Sequence, residues 1–68
     1  MEITLKLSRN NETKKIDLQS KSIAEDALKK INLKPDTVVV LRKNRPIPID
    51  EELKDGQILT ILQVSSGG

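Results

Sequence analysis

The chain has 68 residues, which is enough for one small domain but too few for a second hydrophobic core. It contains no Cys and no His, which excludes disulfides, thiolate or imidazole metal sites and the usual acid–base or thiol chemistry of enzymes. Its net charge of +2 is small and mixed in sign, and no aromatic ring is present to stack on bases, so we expect no direct nucleic-acid partner.

The first two predicted elements are strands joined by a tight turn. Apolar and polar residues alternate over residues 2–8 and again over residues 15–19, as in half-buried strands. The apolar positions are Ile3, Leu5, Leu7, Ile16 and Leu18. Between the two runs lies the polar, Asn-rich segment 9–12, and Asn tolerates the left-handed backbone of hairpin turns. The sequence therefore predicts a β-hairpin.

A helix of about three turns is predicted next, because the apolar spacing changes from two to between three and four. Its apolar stripe consists of Ile23, Ala24, Ala27, Leu28 and Ile31. Ser22 and Glu25 have the spacing of a capping box, in which each side chain accepts a hydrogen bond from the other residue's amide. Pro35 cannot continue a helix, so we expect the helix to end near Ile31 or Asn32.

The second half of the chain reads as three further strands. Residues 37–42 are a β-branched run that is typical of a central strand, and residues 46–48 contain two prolines that restrict them to an edge. The last strand is expected over residues 57–64, after an Asp-Gly turn. Alternation points one set of side chains toward the helix, namely Val38, Val40, Leu59 and Ile61. The outward set is Val39, Leu41, Ile58, Thr60, Leu62 and Val64.

This order of elements predicts a two-layer α+β domain in which a mixed sheet of four to five strands packs on one helix. If the last strand inserts beside the first, the two run parallel, which is the β-grasp plan. The domain should cover residues 1–64, with residues 65–68 as a flexible tail that ends in Gly-Gly. No apolar run approaches the roughly 20 residues that cross a bilayer, and no signal peptide is apparent. We therefore expect a soluble, cytoplasmic monomer with no membrane partner.

Three segments resemble the ubiquitin-like β-grasp family of sulfur carriers and modifiers. Residues 38–48 are similar to its strand, turn and Arg-x-Ile-Pro segment, residues 53–57 to its Leu-x-Asp-Gly-Asp turn, and Gly67-Gly68 to its terminus. The clearest departure is Gln57, where members of the family often carry an acidic residue. Within the family, the chain looks most like the small archaeal modifiers, the ubiquitin-related modifier, the thiamine sulfur carrier and the small subunit of molybdopterin synthase.

The resemblance implies a carrier or modifier that is not itself an enzyme. A partner activating enzyme would use ATP to adenylate the carboxylate of Gly68, with Gly67 as a thin spacer that fits a narrow channel. The acyl group would then pass to sulfur or to a lysine amine. No cofactor would be bound, and the partners would be the activating enzyme with sulfur donor and acceptor proteins or target-protein lysines. Leu41, Leu62 and Val64 would form an apolar docking face for the activating enzyme.

The sequence leaves several alternative interpretations open. The domain could be a non-conjugating interaction module, and the Ser/Gly tail could be a frayed end or a linker. The outward aliphatics could be scattered surface residues, and a one-residue slip in register would exchange the inward and outward sets. Residues 50–52 are three acidic residues in a row, but they lack the spacing of a calcium loop, so we expect no metal site. Sulfur delivery and protein conjugation share their first step, and the sequence does not separate them.

Overall fold

A computed structural model of the chain describes residues 1–64. Its elements are β1 (Glu2–Leu7), β2 (Glu12–Asp17), α1 (Ala24–Lys30), a 3-10 turn (Pro35–Thr37), β3 (Val38–Arg42), β4 (Arg45–Ile47) and β5 (Ile58–Gln63). The five strands form one sheet in the order β2-β1-β5-β3-β4. β1 and β5 are parallel and the other pairs antiparallel, so the predicted mixed sheet of the β-grasp plan is confirmed. The predicted tail, with Gly67 and Gly68, lies outside the described residues.

One face of the sheet packs on α1 and forms the core, because alternate side chains of each strand point to the same side. Within residues 1–64, ten side chains are buried: Ile3, Leu5, Ala24, Ala27, Leu28, Val38, Val40, Leu53, Leu59 and Ile61. Leu7, Ile16 and Leu18 are partly buried and pack against this cluster. The predicted inward set of β3 and β5 is therefore confirmed. No helix in residues 1–64 is long and apolar enough to cross a membrane.

The start of α1 differs from the prediction. Ile23, not Ser22, is the N-cap, and its amide donates to the Asp26 carboxylate at 2.9 Å. The hydroxyl of Ser22 instead donates to the Gln19 carbonyl at 2.7 Å. The predicted pairing of Ser22 with Glu25 is therefore wrong, and α1 spans seven residues, about two turns rather than three.

The loop after β4 explains why a serine cap is not needed. The amides of Ala24 and Glu25 donate to the carbonyls of Glu51 and Ile49 at 2.9 and 2.8 Å. First-turn amides have no partner inside a helix, and here the tertiary structure provides their acceptors. At the other end, Ile31 is the C-cap and Asn32 has a φ of +66°, so the predicted end of the helix is confirmed.

Candidate functional site

The outer side of the sheet, opposite α1, carries an apolar surface on β3 and β5. Val39 lies opposite Leu62, and Leu41 opposite Thr60, in the register of these two antiparallel strands. Leu62 is 40% exposed and Val64 58% exposed, while Val39 and Leu41 are half-buried. We call Val39, Leu41, Leu62 and Val64 the outer apolar face. The predicted outward orientation of these side chains agrees with the structure.

The outer apolar face stops at the middle of the sheet. In the register of β1 with β5, Lys6 lies beside Thr60, and on the far side Thr13 of β2 lies opposite Lys6. Lys6 and Thr13 are both exposed. One side of the outer surface is thus aliphatic and the other is polar and basic, although both sides belong to the same sheet and face the same solvent.

Val64 is the last described residue and is held firmly to the body. Its amide donates to the Thr37 carbonyl at 3.0 Å, which extends the pairing of β5 one residue beyond the strand. Thr37 is itself fixed, because its hydroxyl donates to the Lys34 carbonyl at 2.8 Å. The last described residue is therefore fixed on the outer apolar face. The 3-10 turn that provides Thr37 was not predicted, although Pro35 at its first position is a typical start.

The turn before β5 fixes the position of that strand against β1. The Asp55 carboxylate accepts a hydrogen bond from the Glu2 amide at 2.7 Å, and the Gly56 amide donates to the Glu2 carbonyl at 2.8 Å. Gly56 has a φ of +84°, a conformation that glycine adopts without strain. These contacts join the start of β1 to the turn before β5, and the two strands run parallel from there.

The departure at Gln57 also has a structural explanation. Its side-chain oxygen accepts from the Lys54 amide at 2.9 Å, and its own amide donates to the Lys54 carbonyl at 3.2 Å. A carboxylate oxygen at this position can accept the same bond, since the acceptor atom alone is used. Gln57 thus closes the turn in the way that an acidic residue would.

Of the three basic residues around the β3–β4 turn, one forms an ion pair within residues 1–64. Arg42 forms an ion pair with Glu51 at 3.1 Å, both side chains being about one-third exposed. Lys43 and Arg45 are exposed and have no carboxylate partner within residues 1–64. In the same range, no group of three or more His, Cys, Asp or Glu residues could hold a metal ion. One member of the acidic run 50–52 is thus already engaged in an ion pair.

Of the five site residues predicted from the sequence, the structure brings Leu41, Leu62 and Val64 onto one surface. Gly67 and Gly68 lie outside the described residues, immediately beyond that surface in the chain. The outer apolar face thus includes Val64, the last described residue.

The sequence matches the family model described as small archaeal modifier protein 2 over residues 1–64. Among solved structures, SAMP1 from Haloferax volcanii is 20% identical with a TM-score of 0.76, covering 100% of both chains. A ubiquitin from Caldiarchaeum subterraneum is 18% identical with a TM-score of 0.79, covering 100% of this chain and 98% of the other. At these identities the two structures show a shared ubiquitin-like fold. No match was found among curated protein sequences.

Proposed function

This chain belongs to the small archaeal modifier protein 2 family, and from that membership we propose that its Gly68 carboxylate is activated by a partner enzyme. The members of this family are ubiquitin-like protein modifiers and not enzymes themselves. The activated Gly68 would be thiocarboxylated for sulfur delivery, conjugated to a lysine of a target protein, or both. ATP is consumed by the partner, and the chain binds no cofactor of its own. Because the reaction uses cellular ATP, the proposal places the protein in the cytoplasm.

The observation that carries this proposal is the position of Val64. It lies on the outer apolar face, is bonded to Thr37, and is the last described residue. Four residues remain before the carboxylate of Gly68, and an extended chain of that length spans at most about 14 Å. An active site that reacts with Gly68 must therefore lie within that distance of Val64. An enzyme that docks on the outer apolar face meets this requirement.

The chemistry of activation follows from the carboxylate. One carboxylate oxygen of Gly68 attacks the α-phosphorus of ATP, pyrophosphate leaves, and a mixed anhydride with AMP forms. A sulfur nucleophile or a lysine amine then attacks the acyl carbon, and AMP leaves with the electron pair. Sulfide gives the thiocarboxylate directly. A donor protein's persulfide first gives an acyl disulfide, and a second thiol of the partner then attacks the donor's sulfur, so that the thiocarboxylate leaves and a disulfide forms. The lysine amine instead loses a proton and gives an isopeptide bond. Glycine suits the two last positions because it has no Cβ to obstruct a narrow channel.

The outer apolar face is the proposed contact with the activating enzyme. Leu62 and Val64 are well exposed, and Leu41 is half-buried beside them, so together they offer aliphatic surface that a partner can remove from water. The competing function is a docking module that uses this face and never its carboxylate. The same face supports both functions, and they differ only in the role of Gly68.

The test is the intact mass of the purified chain after incubation with ATP and a sulfur donor in an extract of its host. We expect a mass gain equal to the replacement of one oxygen by sulfur, or a ladder of larger conjugates. Deletion of Gly68 should abolish both products. The matched control is Ser66→Ala, which keeps the length of the tail and its terminal Gly-Gly and should react like the unmodified chain.

A negative result is informative if the extract is shown to be active. If a related modifier gains mass in the same extract while this chain stays unchanged, activation at Gly68 is contradicted. The docking module is then the function that remains. If the chain lacking Gly68 still forms conjugates, the reacting carboxylate lies elsewhere and the proposal also fails.

A further inference from the structure

An open groove of about 950 Å³ lies at the end of the sheet where β3 and β5 separate. Pairing between these strands ends at Leu41 and Thr60, although β5 begins two residues earlier at Ile58. One wall of the groove is the β3–β4 turn, and the other is the segment 55–58. The central residues of the turn, Lys43 and Asn44, have φ angles of +53° and +64°, so the chain reverses here and β3 ends at Arg42.

The separation leaves an unpaired piece of strand in the groove. The carbonyls of Gln57 and Ile61 accept from the amides of Thr4 in β1 and of Ser8 just after it, so the odd-numbered residues of β5 direct their backbone groups toward β1. The even-numbered residues therefore direct theirs toward β3. Within residues 1–64, no hydrogen bond joins the backbone of Ile58 to the turn opposite it. Its N–H and C=O can pair with an added extended chain.

The lining of the groove has an excess of positive charge. Arg42, Lys43 and Arg45 line it, and Asp55 is the one acidic residue among the lining residues. The charge of Arg42 is offset by Glu51 at 3.1 Å, and Asp55 is bonded to the Glu2 amide at 2.7 Å. Lys43 and Arg45 remain as exposed cations with no carboxylate partner in the described part of the chain.

Apolar surface accompanies these cations. The Ile58 side chain is 53% exposed, more than any aliphatic side chain of the described strands, and Pro46 on the opposite wall is exposed as well. In an extended peptide, successive side chains point to opposite sides. A peptide that alternates acidic and apolar residues can therefore turn its carboxylates toward Lys43 and Arg45 while its apolar side chains contact Ile58.

We propose that this groove binds an extended acidic segment of a partner protein, which pairs with the Ile58 backbone and directs its carboxylates to Lys43 and Arg45. The proposal is independent of activation at Gly68, because none of the groove residues belongs to the tail. Two unpaired cations are enough to bind two carboxylates. They are too few to bind a nucleic-acid backbone, because proteins that do so make about six to ten phosphate contacts. A protein segment is therefore the favoured occupant.

The experiment is an NMR titration of the isotope-labelled full chain with an eight-residue peptide in which glutamate and valine alternate. We expect the amide signals of Lys43 and Ile58 to shift most. The double substitution Lys43→Glu/Arg45→Glu should weaken binding at least about 10-fold, because two attractive charges become repulsive. The matched control Lys29→Glu/Lys30→Glu makes the same charge change at the end of α1, on the other side of the sheet, and should bind more nearly like the unmodified chain.

A second peptide tests the backbone contact separately from charge. N-methylation at alternate residues removes amide donors without changing any side chain, and we expect it to weaken binding at least about 10-fold. The proposal is overturned if the peptide at about 1 mM shifts neither Lys43 nor Ile58. Equal binding by both double variants, or tighter binding of inorganic phosphate or a single-stranded RNA than of the peptide, would also overturn it. A chain lacking Gly68 should bind the peptide unchanged, which keeps this test distinct from that of activation.

Discussion

The inner and outer faces of β5 are formed by neighbouring residues of one strand but differ in solvent exposure. Leu59 and Ile61 are 0% and 2% exposed beneath α1, whereas Ile58 and Leu62 are 53% and 40% exposed on the other side. The difference does not lie in the residue types, since all four are large aliphatics. It lies in what covers them, because the single helix and Leu53 close only one side of the sheet.

Folding requires the first face but not the second. Outward positions of the same sheet are occupied by polar residues such as Thr4, Lys6 and Thr60, so polar side chains are compatible with the fold there. The fold therefore does not require a large apolar side chain at the outward position of Leu62. The proposed docking of a partner would remove this aliphatic surface from water.

The largest expected effect on stability comes from shortening a side chain of the inner face. Leu59→Ala removes a fully buried side chain and leaves a cavity, so we expect it to lower the free energy of unfolding by about 2–5 kcal/mol. For a domain of this size, that is a large part of its stability. Urea unfolding followed by far-UV circular dichroism measures it, since the chain has no aromatic residue for fluorescence.

The control for Leu59 is Leu59→Met, which keeps the volume of the side chain nearly constant. It should cost less than about 1.5 kcal/mol, because the cavity is absent. A loss below 1 kcal/mol for Leu59→Ala would contradict the view that this face holds the fold together.

A smaller effect is expected where α1 is anchored over the inner face. Asp26→Ala removes the acceptor of the Ile23 amide, which is bonded at 2.9 Å, and should lower the free energy of unfolding by about 1 kcal/mol. Ser22→Ala is the matched comparison, since its hydroxyl bonds to Gln19 outside the helix. We expect it to cost about 0.5 kcal/mol or less. Thermal and urea unfolding of the two variants give the order, and the reverse order would restore the capping box expected from sequence.

The faces of β5 and the cap of α1 show where the sequence was sufficient for prediction and where it was not. Strand alternation is a local signal with a period of two, so Leu59 and Leu62 could be assigned to opposite faces from sequence alone. The cap of α1 depends on the carbonyls of Ile49 and Glu51, which are distant in sequence, and Ser22 therefore offered a misleading local pattern. Local motifs are reliable only where no tertiary partner competes for the same backbone groups.

The candidate site divides in the same way. The outward set on β3 and β5 was predictable, and so was the Asp-Gly turn, because both depend on neighbouring residues. The bond from the Glu2 amide to Asp55 joins residues 53 positions apart and could not be read from sequence. Nor could the groove beside Ile58, which exists because the β3–β4 turn ends the pairing with β5 two residues early.

The smallest effect on stability, and the most decisive for function, is expected on the outer face. Leu62→Ala shortens a side chain that is already 40% exposed, so the free energy of unfolding should fall by less than about 1 kcal/mol. If the activating enzyme docks on this face, the same change should slow activation of Gly68 about 10-fold, as expected for loss of a central contact. This fold-change is the ratio of the rates of mass gain in host extract, measured at chain concentrations that do not saturate the activating enzyme.

Ile49 provides the matched control, because it is 39% exposed and aliphatic but lies in the loop between β4 and β5, where its carbonyl accepts from the Glu25 amide of α1. Ile49→Ala removes a similar amount of exposed apolar surface and should leave the rate of activation unchanged. If both variants slow activation equally, the loss reflects general surface hydrophobicity and not docking at Leu62. If instead Leu62→Ala destabilises the fold as much as Leu59→Ala, the outer face is a second half of the core, and its aliphatic residues need no partner to explain them.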